Sequence, residues 1–551
     1  MKPAIFPGQK IALPGNSRSM SMFKIKLSLS MAAALATATI ITQPTDAQTE
    51  GQRLGDVHFE TSCTTEAQKA FDQGMLYQHS FWYRASKKLF EDAAKADPTC
   101  AIAYWGIAQS LLANPFNPVP AKNLAEGLAA IEQAKRLDAK TQRESDLIAA
   151  IGVYYANAEA LDQRARAQVY VKAMEDVAAR YPSDDEVQIY YALALNIAAA
   201  PSDKTYANQL KAAAILEPIA RRRPHHPGAA HYLIHTYDYP ALAQKGLDAA
   251  LRYAKIAEAA PHAQHMPSHI FTRVGYWRES IASNAAAAKL ARNGKEADDQ
   301  LHASDYMVYA YLQLGRDRDA HLLIEEMNTI AGYNAERNTG PFALAASPAR
   351  YVVERGDWAQ AAQLDVRPAK FAYVEAIGHF ARAIGAARSG GLEAAKTDLA
   401  KLAELRDKLR QAKDGYWSQQ VDIQAQIASA WVLFAERRYD EALDALSAAA
   451  DAEDKTEKAT VTPGPLAPAR ELYGAMLLER GRAREALAAF EGTLAKEPNR
   501  LRGLAGAAKA AEQLGDNAKA RGYHEKILAM VGDTDGTRAE IADARAFLKR
   551  L

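Results

Sequence analysis

One spacing recurs along this chain that few folds can accommodate. Gly74, Phe90, Ala93 and Pro98 stand at offsets of 0, 16, 19 and 24, and Gly474, Ala486, Phe490 and Pro498 at 0, 12, 16 and 24. Gly, Phe and Pro thus keep their distances 400 residues apart. Ala486 and Ala520 lie 34 residues apart, Trp105-Gly106 follows Pro98 where a next unit would begin, and Ala249, Tyr253 and Pro261 repeat the second half of the pattern. Similar punctuation returns at Gly275-Tyr-Trp277, Gly315-Arg, Gly356-Asp-Trp358 and Gly481-Arg. A Gly ending one helix takes the left-handed turn, a small Ala lets an antiparallel helix approach, and Pro starts the next helix. Phe90 and Phe490 are then placed to plug the gap between neighbouring units. A single hairpin of this kind cannot bury its apolar face alone, so the units must stack.

These residues resemble the tetratricopeptide (TPR) repeat family, and the chain is similar to an exported bacterial-type TPR protein. The pattern is strong at Gly74–Pro98 and Gly474–Pro498 and degenerate between them. The resemblance implies an all-α, TPR-like α-solenoid of stacked antiparallel helix pairs, wound as a right-handed superhelix. Its concave groove would hold a peptide, protein or small ligand. Abundant Ala and few β-branched runs agree with helix packed on helix. With 67 Lys plus Arg against 66 Asp plus Glu, no basic excess points to nucleic acid.

Residues 1–47 read as an N-terminal extension and signal peptide: Lys24 and Lys26 precede the apolar stretch Leu27–Ile41, and small residues end at Ala47. Export to the periplasm or beyond follows, with no membrane span after cleavage. Residues 48–63 form a short exported segment, 64–450 a degenerate TPR solenoid, 451–468 a charged, Pro-containing connector, and 469–551 terminal repeats with a capping helix. In an oxidising compartment Cys63 and Cys100 are a candidate disulfide.

Seven of the 13 His fall between His225 and His269. His231/His235 and His265/His269 each form a His-x-x-x-His pair, and residues four apart share one helix face. Counting from the Gly275 turn places His265 and His269 toward the groove, Ala249 and Pro261 place His231 and His235 on the corresponding helix of the unit before, and counting from Gly315 places His302 and Asp305 on the next unit. The candidate metal ligands are therefore His231, His235, His265, His269, His302 and Asp305. Imidazole donors suit Zn, Cu or Fe, with identity open, and one or two ions are compatible with so many donors. Asp305 and Asp238 are candidate general bases, and Asp238, Tyr237 and Ser268 candidate orienters of the rings. A His/Tyr/Asp network without metal is the competing reading.

Other residues read more plainly. His225 and His226 are expected in a solvated turn, His262 at a helix start, and His379 in the core. His58, His79, His321 and His524 are expected to be structural or exposed, and Phe81-Trp82-Tyr83 to be inter-repeat packing. No phosphate loop, Rossmann fingerprint or Gly-x-Ser-x-Gly elbow occurs. The functional expectation is an exported repeat protein whose groove binds a partner or ligand and carries a His-rich metal site. The alternatives are a metal-dependent hydrolase or oxidoreductase and a metal-free interaction scaffold.

Overall fold

Phe90 shows how the units lock together. A Cβ on Gly74 would come within 2.7 Å of its ring, and a Cβ on Gly106 within 2.6 Å. The aromatic side chain therefore fills a slot between the first helices of two successive units. Phe490 repeats the arrangement between Gly474 and Gly506. In this computed structural model, which describes residues 54–550 apart from 157, 533, 535 and 536, the elements are helices, with no strand among the described residues. Each helix packs on the one that follows, from Thr65–His79 to Ala539–Arg550. The chain is an all-α, TPR-like solenoid of antiparallel hairpins. The expected signal segment lies outside the described residues, and among those described no helix is long and apolar enough to cross a membrane.

The hairpin turns use left-handed glycines where the sequence places them. Gly275 has φ 72°, and the following N–H, of Tyr276, closes the helix end by donating to the Phe271 carbonyl at 2.8 Å. Gly315, Gly356 and Gly481 also have positive φ. Several turns do without glycine, with positive φ at Lys295, Lys413 and Arg437, and one of them carries an aromatic residue. Phe81, φ 55°, occupies the same turn position, with Trp82 N–H donating to the Tyr77 carbonyl at 3.0 Å. A bulky residue there carries backbone strain of roughly 1–2 kcal/mol. Its ring is set against His231, His235 and His262.

Units distant in sequence close onto one another. The indole of Trp277 donates to the Asn499 carbonyl at 2.8 Å, and Leu501 N–H to Gln313 Oε1 at 3.0 Å. Arg500, fully buried, joins Glu354 at 2.7 Å, Glu471 at 2.9 Å and the Tyr309 hydroxyl at 2.7 Å. Near the N-terminus, Asp56 N–H donates to the His225 carbonyl, and Cys63 is joined to Cys100 in a disulfide.

The segment read as a charged, Pro-containing connector, 451–468, is largely buried. The helix Tyr439–Asp454 runs past the predicted boundary, and the chain then threads inward until the helix Ala469–Glu479. Thr456, Glu457, Val461, Thr462, Leu466 and Ala467 are buried. The segment is tied down by Lys204 on the Thr456 carbonyl (2.8 Å), Tyr306 on the Thr460 and Thr462 carbonyls (3.2 Å each), and Arg350 on the Pro465 carbonyl (2.7 Å). The insertion Asn114–Pro120 approaches from the other side, where Phe116 stacks on His235 with ring centroids 4.4 Å apart. The resemblance implied a concave groove, and the sequence left open whether the 114–120 insertion closes it. At this level the space is filled by the chain itself.

Candidate metal centre

Both His-x-x-x-His pairs stand on helices opened by proline. Pro227 starts Pro227–Tyr237, with the His226 ring capping the helix by accepting from Ala229 N–H at 3.2 Å. Pro261 starts Pro261–His265, and Pro267, which has no N–H to give, divides it from Pro267–Val274. One helical turn still separates the rings of each pair. His231 Nε2 lies 3.1 Å from His235 Nε2, and His265 Nε2 lies 3.0 Å from His269 Nε2.

The opposite ring nitrogens decide what those contacts are. His269 Nδ1 donates to Asp238 Oδ2 at 2.8 Å, and His265 Nδ1 to Asn284 Oδ1 at 2.6 Å. The Asn284 amide is oriented by its Nδ2 donating to the Ser280 carbonyl at 2.8 Å. His231 Nδ1 donates to the His79 carbonyl at 2.7 Å, a group that can only accept. A neutral imidazole carries one proton, so His231, His265 and His269 each present a bare Nε2. His265 and His269 thus aim two lone pairs at each other across 3.0 Å, with no proton to share between them. In the first pair, a proton on His235 Nε2 could satisfy His231, and His235 Nδ1 is then left buried without a partner. Burial pushes the pKa values of His231, His235, His262, His265, His269 and His302 below the ordinary histidine value, which favours the neutral forms.

Each pair gains a third ring from the first helix of the next unit. His262 joins His231 and His235, and His302, on Ala297–Gln313, joins His265 and His269. Within each triad the donor atoms lie within 4.8 Å of one another. His262, expected only to open a helix, has a buried Nε2 with no partner. The sequence did hold a signal for it: His262 precedes His265 by three residues, as His302 precedes Asp305.

The two aspartates take other roles. Asp305, expected as ligand or base, accepts from Ser347 Oγ at 3.0 Å and lies 4.0 Å from Arg350 Nε. Its position matches that of His265 one unit later, so it faces the first helix of the following unit, Thr339–Arg355, while His302 reaches back. Burial pushes its carboxyl up to about 6. Asp238 is clamped by Arg273 Nε at 2.8 Å, Lys458 Nζ at 3.0 Å and His269. Burial alone would raise its pKa, but the Lys458 and Arg273 cations outweigh that and hold it well below the usual carboxylate range. It orients His269 and is a poor general base. Tyr237, an expected orienter, donates instead to Glu217 at 2.6 Å.

A third cluster is closed to metal by the same proton logic. His226 Nδ1 accepts a backbone N–H, so its Nε2 donates to Glu186 at 2.7 Å. His79 Nδ1 takes the Tyr232 hydroxyl at 3.0 Å, and its Nε2 donates to Glu186 at 3.0 Å. Every nitrogen is satisfied. His226 is therefore buried in a network, in contrast to the solvated turn expected for it, and only His225 of that pair is exposed. His79 fixes His231 through its carbonyl.

A cavity of about 40 Å³ opens between the triads. His235 and His262 line one side, and His269 and His302 the other. Phe81, Tyr83, Asn114, Asn117, Thr460 and Val461 complete much of its wall, with Asp299 and Arg337 beside them. Phe81 and Tyr83, expected as repeat packing, are thus part of the site. A three-nitrogen shell with its open side toward a cavity can hold a metal ion and leave a position for a ligand.

No family model matches the sequence, and no curated protein matches it. Among solved structures, the human IFIT1 dimer with m7Gppp-AAAA is 12% identical over 88% of this chain and 100% of its own, with a TM-score of 0.32. Yeast Tom70 is 11% identical over 88% and 96%, with a TM-score of 0.29. Cut9–Hcn1 of the APC/C is 11% identical over 89% and 96%, with a TM-score of 0.30. Likeness at this level carries no functional argument. The fold assignment rests on this chain's own helices, whose turns and inter-unit packing are those of a TPR-like α-solenoid.

Proposed function

We propose that this chain is an exported helical-repeat metalloprotein whose interior binds transition metal through two triads, His231/His235/His262 and His265/His269/His302. The observation that carries the reading is the pair of bare Nε2 atoms at His265 and His269, 3.0 Å apart. Facing lone pairs in a buried site repel, and a cation between them turns that repulsion into coordination. Asn284 and Asp238 supply the outer acceptors typical of metal-bound imidazoles. Export is supported by the Lys24–Ala47 pattern and by a disulfide, which suits an oxidising compartment. The cavity favours a small ligand over a folded partner, so a metal-dependent enzyme is the second reading.

Metal analysis of untagged protein, purified without chelator and reconstituted with Zn, Cu and Fe in turn, tests this. Bound metal is expected, and His265→Ala/His269→Ala is expected to lose the share held by its triad. Folded protein that retains no metal after each reconstitution would leave only the scaffold reading.

A further inference from the structure

Resting on that metal-centre reading, we propose that the two triads act as one unit: a pair of copper ions, each held as Cu(I) by three imidazoles, that takes up dioxygen in the cavity between them.

The donor set argues for low ionic charge. All six donors are neutral imidazoles. Of the neighbouring carboxylates, Asp238 is committed to Arg273, Lys458 and His269, and Glu186 to His79 and His226, while Asp299, at the cavity edge with Arg337, belongs to neither triad. Both cysteines are spent in the disulfide. The cost of burying an ion grows with the square of its charge, so two divalent ions cost about four times as much as two monovalent ones. Among metals suited to imidazole, copper offers a stable monovalent state.

Proximity argues for a pair. Rings of opposite triads stand 6.1 Å apart (His235 and His269) and 6.0 Å apart (His262 and His265), measured between centroids. The cavity takes two histidines of each triad as walls and has room for only a few non-hydrogen atoms. One flank is apolar. Phe81 stacks on His235 and His262 at 5.6 and 5.3 Å, and Phe116 on His235. The rest of the lining is largely polar, and it is the cavity's size that limits a ligand to a few atoms, as in a diatomic.

The electron balance closes. Each Cu(I) gives one electron, and dioxygen takes two, leaving two Cu(II) and one peroxide dianion bound between them. Return to Cu(I) takes two electrons from a small organic reductant that also gives up two protons, with which the peroxide leaves as hydrogen peroxide; the polar edge at Asn114, Asn117, Asp299 and Arg337 provides an approach.

The test loads the full protein anaerobically with Cu(I), removes excess metal, and admits oxygen. Copper content, electron paramagnetic resonance and near-ultraviolet absorption are then read. The expected result is two coppers per chain that become oxidised yet give almost no paramagnetic signal, because adjacent Cu(II) ions couple. A charge-transfer band should appear with oxygen. His262→Ala and His302→Ala are each expected to halve the copper content and to turn the remainder paramagnetic on oxidation. Two coppers with full Cu(II) signal, or one copper in the unaltered protein, would overturn the paired centre and leave the metal reading standing. Zn retained with Cu(I) refused would overturn copper alone. Failure to hold any metal would remove both proposals.

Discussion

Asn284 carries more of the site than its side chain suggests. By accepting from His265 Nδ1 and donating to Ser280, it fixes which nitrogen of His265 bears the proton. Asn284→Ala is expected to weaken metal binding about 10–100-fold, the usual cost of losing an outer-shell partner. Asn284→Asp, which keeps an acceptor, should restore most of it. Competition against a chelator of known affinity reads both, and equal affinity in all three proteins would show that the tautomer is not set there. At this scale the sequence was legible wherever one helix sufficed. The His231/His235 and His265/His269 pairs follow from the helical period alone. His262 and Asp305 did not, because their partners belong to other helices, and a side chain's direction across a repeat boundary depends on packing.

Among elements, the turns and slots were readable because each is local. Gly275 and Gly315 mark left-handed ends, and Phe90 needs only the glycines on either side of it. The segment after Asp454 was not readable. Its charge and prolines resemble a solvated linker, yet Lys458 ends on Asp238, 220 residues away in sequence. Glu453, at the root of this segment, accepts from Ala469 N–H at 2.8 Å, and burial pushes its carboxyl up to about 7 from 4.5. The folded protein therefore holds this proton more tightly than the unfolded chain does. Stability contributed here is fully present below pH 4.5 and is lost as pH rises through 7. Glu453→Gln, which stays neutral, should flatten this dependence and gain on the order of 2 kcal/mol at pH 8 relative to the unaltered chain. Melting temperatures at pH 5.5 and 8 check the difference. A Gln variant that loses stability with pH as steeply as the parent would contradict the assignment.

In the whole molecule, the terminal repeats close onto the middle ones. Arg500 links the terminal repeats to Glu354 and Tyr309 of the middle ones. Arg500→Met leaves Glu354 and Glu471 without their buried cation and should cost about 3–5 kcal/mol. Denaturant unfolding would show the loss, while metal content per folded chain stays unchanged. A coupled loss of metal would mean that the closure itself shapes the triads. No pairwise spacing in the sequence announces this contact. It arises from the accumulated rotation of many units, which degenerate repeats leave open.

X-ray absorption on the reconstituted protein tests most directly whether imidazoles from successive repeats hold metal in the interior. A first shell of light donors at ~2.0 Å, with the outer-shell scattering of about three imidazoles per ion, is the predicted result. A shell dominated by sulfur or by carboxylate oxygen, without imidazole scattering, would contradict it.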